Sequence, residues 1–338
     1  MSNDGSKMEG LPLPDNIILA LAEQLDTKSM FNLMETSEQI HDLIRHYEFS
    51  ISMGQAAKFM SPVGNILSSE VFARRCIQRG TFEMVAEMEM REARIEDILS
   101  NSGYIDLMNP MRIGPLNVTQ QKRLYGLLKR AMRHCDRIAD MAANQPCRPI
   151  MQQSYDRLKA KHFNASNLPL GFRLQDPTTN FGARPLQFEY IKNLPIEDLA
   201  MVFYLLNALE AGYYRTMADY AASDPDLENR LLVFKECILR HGSWYAWGYV
   251  CGSGPWKVMA DAISQVGMVE LISFEFNMDD EEEQADHIPP SLHSAFWARF
   301  DAMSPSDNTG KAEIYRIVES LVKGDEGEFG DEREGEEG

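Results

Sequence analysis

The sequence predicts an all-α protein: an N-terminal three-helix module, a larger irregular helical domain, and a disordered acidic tail. Three observations carry this. Nearly every periodic segment repeats its apolar residues at three or four positions, the helical period. Gly, Pro, Asn and Ser clusters fall between those segments and not within them. No structural repeat and no leucine-rich, kelch or Trp-Asp blade spacing is present.

The elements follow in order. Pro14 fits the first turn of a helix that runs to about Leu25. A second, short helix covers 28–35. Thr36 and Gln39 have capping-box spacing, so a third starts there and continues through Ile40, Leu43, Ile44 and Tyr47. Ser61-Pro62-Val63-Gly64 is a break. Helices are expected next at 66–79 and 82–100; in the second, Met84, Met88, Ile95 and Ile98 share one face. Turn residues fill 101–117. The longest clean pattern, 118–143, places Leu124, Leu128, Met132, Cys135, Ile138 and Met141 on one stripe. Another helix is expected at 150–162.

Between 164 and 187 the periodicity fails, and Asn167, Pro169, Gly171, Pro177, Gly182 and Pro185 punctuate the chain. This stretch reads as a linker or a long ordered loop. Helices resume at 195–222, 227–248, 255–272, 290–303 and 311–322. Val269–Phe276 is β-branched and aromatic enough to suit short strands as well. Residues 324–338 are rich in Gly and Glu and are expected to be disordered. The divisions are therefore 11–52 (three-helix module), 60–163 (helical), 164–187 (linker), 188–323 (helical) and 324–338 (tail).

Charge and cysteine narrow the function. The chain of 338 residues carries a formal net charge of −18. Seven acids and no Lys or Arg lie between Glu275 and Asp286, and eight acids with one Arg lie between Gly324 and Gly338. Taking these two blocks of −7 away from −18 leaves −4. An acidic chain lacks the basic footprint that displaces counterions from nucleic acid, and it does not suit an anionic membrane surface. Cys76, Cys135, Cys147, Cys237 and Cys251 are odd in number, widely spaced and without a Cys-x-x-Cys pair, as expected of free thiols in a reducing compartment. The polar start MSNDGSKMEG is no signal peptide, and no stretch reaches ~20 apolar residues. The expected location is cytoplasmic, nuclear or both, so the sequons at Asn117 and Asn164 carry no meaning.

The N-terminal stretch LPDNIILALAEQLDTKSMFNLMETSEQIHDLI, residues 13–44, is apolar on more than one face. It contains Leu13-Pro14, Ile17, Ile18 and Leu21, then Leu25-Asp26, Ser29-Met30, Leu33, Thr36-Ser37, and Ile40 with Leu43-Ile44. This pattern resembles the F-box, the three-helix module that docks substrate receptors onto the Skp-type adaptor of cullin–RING (SCF) ubiquitin ligases. Leu13-Pro14 has the family's spacing to Leu-Asp; Leu11-Pro12 is two residues early. Two positions depart from the pattern: the acid just inside the first helix is one place early, as Asp15 before Asn16, and Glu38 stands where a basic residue is common. These lower the expected adaptor affinity. The polar start and the repeat-free helical remainder are similar to fungal F-box-only proteins.

The resemblance implies an adaptor without catalysis of its own and without a cofactor. Its partners would be a Skp-type adaptor with its cullin–RING ligase, and an unknown substrate protein. By resemblance Leu13, Pro14, Ile17, Ile18, Leu21, Leu25, Met30 and Leu33 face the adaptor, and residues 60–323 hold the substrate. Physics points the same way, since a segment below ~40 residues rarely buries enough surface to fold alone.

Other constellations invite different readings. HGSWYAWGYVCGSGPW, residues 241–256, places His241 near Cys251, as a thiol nucleophile with its base requires. A helical enzyme or ligand-binding domain built there, with 13–44 as part of its core, is the alternative. No orienting third residue is evident, and Trp244, Trp247, Tyr249 and Trp256 suit a packed helix junction. The run Asp279–Glu283 with Asp286 and His287 lacks the Gly and alternating ligands of a calcium loop. No His pair has metal spacing. Lys122, Lys129, Arg130, Arg133 and Arg137 form a partial basic face on the 118–143 helix, suited to an acidic partner or to the chain's own acids.

Overall fold

A computed structural model describes residues 13–70, 74–145, 183–217, 224–277, 291–303 and 309–324. Among them are thirteen α-helices, one 3₁₀ turn and one two-stranded sheet, so the chain is all-α. It divides into two compact units: Met1–Val63 with Ile77–Met90, and Gly64–Cys76 with Arg91–Gly338.

The first unit holds α1 (Asp15–Gln24), α2 (Thr27–Met34), α3 (Glu38–His46) and α4 (Glu48–Ala56), and takes in the first half of α5 (Phe82–Ser100). Its core is Ile18, Ala22, Met30, Met34, Ile44, Ile51 and Phe82. Two expectations change here. The module is not confined to 11–52, because α4 and Phe82 complete its core. The Thr36–Gln39 capping box does not form: α3 opens at Glu38 behind Ser37, and the Thr36 hydroxyl donates to the Leu33 carbonyl instead, at 2.7 Å.

The second unit is built on α6 (Val118–Asp140). Asn117 and Gln120 close a reciprocal capping box at its start, at 2.9 and 3.0 Å. Its buried stripe of Leu124, Leu128, Ala131, Met132, Cys135 and Ile138 packs on α8 (Ile196–Thr216) and α9 (Leu227–His241). Helix α8 is buried through the run Asp198–Leu206, as expected of a central helix. Around these lie α7 (Arg184–Asn193), α10 (Ser243–Val250), α11 (Pro255–Asn277), α12 (Leu292–Met303) and α13 (Thr309–Lys323). Glu236 on α9 starts α12 by accepting from the backbone of Leu292 and His293, both at 3.0 Å.

Three further expectations are corrected. Residues 66–79 are not a helix but carry β1 (Ile66–Leu67) and β2 (Cys76–Ile77), which pair. Tertiary hydrogen bonds outweigh local preference there: Asp140 accepts from the Leu67 amide at 2.9 Å, Arg91 donates to the Leu67 carbonyl at 2.6 Å, and the Ser68 hydroxyl accepts from the Arg75 amide. Residues 227–248 are two helices. Gly242 separates them at φ 68°, a conformation in which a side chain would meet Asp136, and that carboxylate accepts from the Ser243 amide at 2.7 Å. Val269–Phe276 is helical, inside α11. Helix α7 also begins within the expected 164–187 linker. The expected 150–162 helix, the 279–286 acidic run and the tail beyond Gly324 lie outside the described residues.

Candidate functional site

Helix α1 begins at Asp15, so Pro14 is its N-cap and not, as the sequence suggests, a residue of its first turn. Pro14 takes an extended conformation, and its carbonyl accepts from the amides of Ile17 and Ile18 at 2.9 and 3.2 Å. Asp15 sits in the first turn, where a negative charge favours the helix dipole. At the other end, the buried Gln55 amide donates to the carbonyls of Ala22 and Leu25 at 2.8 and 3.0 Å. The Lys58 ammonium donates to Glu23 and Gln24 at 2.8 and 3.1 Å. These are the carbonyls a helix end leaves without partners. Both residues come from the α4 end of the unit, so α1 is held at a fixed angle.

Helix α2 follows at once. Asp26 caps it by accepting from the Ser29 amide at 2.6 Å, and this bond, with the Ser29 hydroxyl, keeps the Asp26 carboxyl below the usual carboxylate range. The Thr27 amide donates to Glu89 of α5 at 3.0 Å, and the Phe82 amide donates to Glu48 at 2.9 Å. The Phe31 and Phe82 rings meet edge to face, 6.0 Å apart.

A helix fixed in this way can turn only one face inward. Ile18 and Ala22 take that face, while Ile17 and Leu21 stand four residues apart on another, and Leu13 is exposed in the lead-in before the Pro14 cap. Leu13, Ile17 and Leu21 are 58%, 48% and 42% exposed. Pro14 is exposed beside them. Leu25 and Leu33 are half-buried against the unit's own core. Ile18 and Met30 correct the set read from the sequence: both lie inside that core, because successive residues turn 100° apart and it is Ile18, four residues from Ala22, that points at the core. The same geometry exposes Phe31, next to inward Met30, which the sequence reading left out. Asn16 and Glu38, the two departures from the F-box pattern, are both exposed.

The 241–256 segment forms a packed junction between α9, α10 and α11. The Trp244 indole donates to the Ser69 carbonyl at 3.1 Å, and the Trp247 indole donates to Asp97 at 3.0 Å. Trp256 packs edge to face on Trp247 at 5.4 Å. Burial, with Arg74, Arg240 and Arg184 nearby, holds the His241 imidazole neutral, well below its usual pKa. Burial pushes the half-buried Cys251 thiol up, so the arrangement does not make it a thiolate nucleophile.

The basic face of α6 meets the chain's own acids along most of its length. Arg133 forks onto Glu92 at 2.6 and 2.8 Å, Lys129 reaches Glu92 at 3.3 Å and also bonds Glu96, and Arg130 reaches Asp198 at 2.7 Å. Burial works against the Glu92 charge, but Arg133 and Lys129 hold its carboxyl below the usual range. Arg137 lies over the Tyr190 ring. Among the described residues no group of three or more His, Cys, Asp or Glu is placed to hold a metal, and no helix is long and apolar enough to cross a membrane.

No family model, no curated protein and no solved structure matches the chain.

Proposed function

We propose that the N-terminal unit is an F-box-type docking module, and that the protein is a substrate receptor of a cullin–RING (SCF) ubiquitin ligase. The observation that supports it most is the exposed apolar set of Leu13, just before α1, with Ile17 and Leu21 on a helix whose inner face is already used. Exposed apolar surface arranged in a stripe marks an interaction site more often than scattered single residues do. Covering each of these side chains at a partner is worth ~1.5–3 kcal/mol before association costs. Leu13, Pro14, Ile17 and Leu21, with Phe31 beside them in the same unit, are the residues open to a Skp-type adaptor. The second unit is then the part that holds the target protein.

The test is co-expression with a Skp-type adaptor and recovery of the complex. The wild-type chain should co-purify with it. The Leu13→Ala/Ile17→Ala/Leu21→Ala variant should lose the adaptor while melting at an unchanged temperature, because these side chains leave no cavity. A wild-type chain that captures no Skp-type adaptor removes the proposal.

A further inference from the structure

The sequence holds 51 acidic and 33 basic residues, so a cation with no carboxylate against it stands out. Lys129, Arg130 and Arg133 on α6 are all spent on acids of the same unit. The opposite end of α6 differs. Lys122 and Arg123, in its second turn, and Arg112, five residues before its cap, are exposed and form no ion pair among the described residues. The Arg112 guanidinium lies on the Tyr315 ring of α13, 5.1 Å from its centre. Arg112 itself is held at φ 63°, a conformation that non-glycine residues keep only where their surroundings impose it. Apolar surface accompanies these cations: Val118, at the start of α6, is 68% exposed, and Met111 is exposed beside Arg112.

The chain itself delivers an acidic segment to this place. Helix α13 ends at Lys323 and Gly324 follows it; the Gly324 amide donates to the Ser320 carbonyl at 2.9 Å and its φ is 66°. The Arg123 guanidinium lies so close that a side chain at Gly324 would collide with it. The next residues read DEGEFGDEREGEEG: eight acids, one Arg, and a single aromatic, Phe329. Five residues of extended chain span up to about 17 Å. Val118 lies five residues from Arg123, about 7.5 Å along the α6 axis and about 140° round it, a separation still shorter than that span, while Lys122 shares the Val118 face. Phe329 is therefore within reach of Val118 while the acids on either side of it reach the cations.

We infer that the surface formed by Arg112, Lys122, Arg123, Val118 and Met111 is a docking site for an acidic segment carrying an aromatic, and that its occupant is this chain's own residues 325–338. A tether that starts at the site favours this occupant, because a short linker supplies an effective concentration in the millimolar range. The positive end of α6 adds to the attraction. This inference is independent of the proposed ligase role.

The experiment is zero-length carbodiimide cross-linking of the full chain, which joins amines to carboxylates, with the linked peptides mapped by mass spectrometry. Lys192, exposed on α7, is the comparison lysine; fourteen extended residues span up to about 50 Å. Lys122 should be linked to carboxylates of 325–337 at least about fivefold more than Lys192, as a local tether predicts. Arg123→Glu should remove that excess, and so should about 0.5 M salt, where screening acts beyond roughly 4 Å. Arg123 is exposed, so an unchanged melting temperature is expected for the variant. Even labelling of the two lysines overturns the inference, as does an excess that survives Arg123→Glu. Linkage of Lys122 to 279–286 also overturns it. Mixing equal amounts of chains with and without nitrogen-15 tests whether the link is intramolecular: unmixed pairs alone are expected, and isotopically mixed pairs approaching half of the linked peptides overturn the intramolecular assignment.

Discussion

Arg91 grips Asp140 with two guanidinium nitrogens, at 2.8 and 2.9 Å, and both side chains are buried in the second unit. The pair also supplies the hydrogen-bond partners of Leu67, donating to its carbonyl and accepting from its amide. Removing one member leaves a buried charge without its counterion and strands a backbone group. Asp140→Ala should therefore destabilise the second unit by about 3–5 kcal/mol. Urea unfolding of the full chain checks this. Replacing both residues together, as Arg91→Met/Asp140→Leu, should cost less, since neither member of the pair is left as an unmatched ion; what cost remains comes from Leu67, which loses both partners, and from Asp136, which loses a nearby cation.

Ile17 and Ile18 are neighbours in sequence with opposite fates. Ile18→Ala should cost about 2–5 kcal/mol, the range for a buried Ile that leaves a cavity. Ile17→Ala should change stability by less than about 0.5 kcal/mol. Denaturation midpoints of the two variants decide the matter. Equal effects would mean that the face assigned to each is wrong.

Acid should weaken the second unit through its buried histidines. Burial, with Lys235 and Lys311, pushes the His293 imidazole down to about 4, and Glu236 offsets only part of this. His241 is likewise well below its usual value. An unfolded His titrates near 6.5. Below that pH the unfolded chain takes up protons that the folded chain refuses, so stability rises with pH across the window. The contribution is fully present above pH 6.5 and is lost progressively as pH falls toward 4. Urea midpoints measured between pH 7.5 and 5 should fall, and His293→Phe should flatten the slope.

Gly242 sits where α9 gives way to α10, at φ 68°, with Asp136 filling the space a side chain would need. Gly242→Ala should destabilise by more than the ~1 kcal/mol that separates the two residues in an ordinary helix. Thermal unfolding measures it. Asp136 is the reason for the excess, since its carboxylate also accepts from the Ser243 amide and hydroxyl.

Much of this fold is legible in the sequence, and the failures have physical causes. The helix at 82–100 reads correctly because Met84, Ile95 and Ile98 face cores along its length. The 66–79 stretch misleads because Leu67 donates to Asp140 and accepts from Arg91, both far away in sequence. The break at Gly242 did carry a signal, a glycine directly after Arg240 and His241, the usual end of a helix. Among the exposed apolar residues of the first unit, the spacing of Leu13, Ile17 and Leu21 was readable. What could not be read was that Ile18 and Met30 turn inward, since this depends on Ile51 of α4, twenty-one residues beyond Met30, and on Phe82, fifty-two residues beyond it.

The place of Phe82 in the first core has a consequence for how the chain is made. A ribosome adding roughly 5–20 residues per second needs about 1–4 s to proceed from Val63 to Phe82. During that interval the four helices of the first unit have all been synthesised, yet the slot for the Phe82 ring stands open beside Phe31. The nascent chain thus presents an incomplete apolar surface for seconds, long against the microseconds in which helices form. A fragment ending at Val63 would remain in that unfinished state permanently.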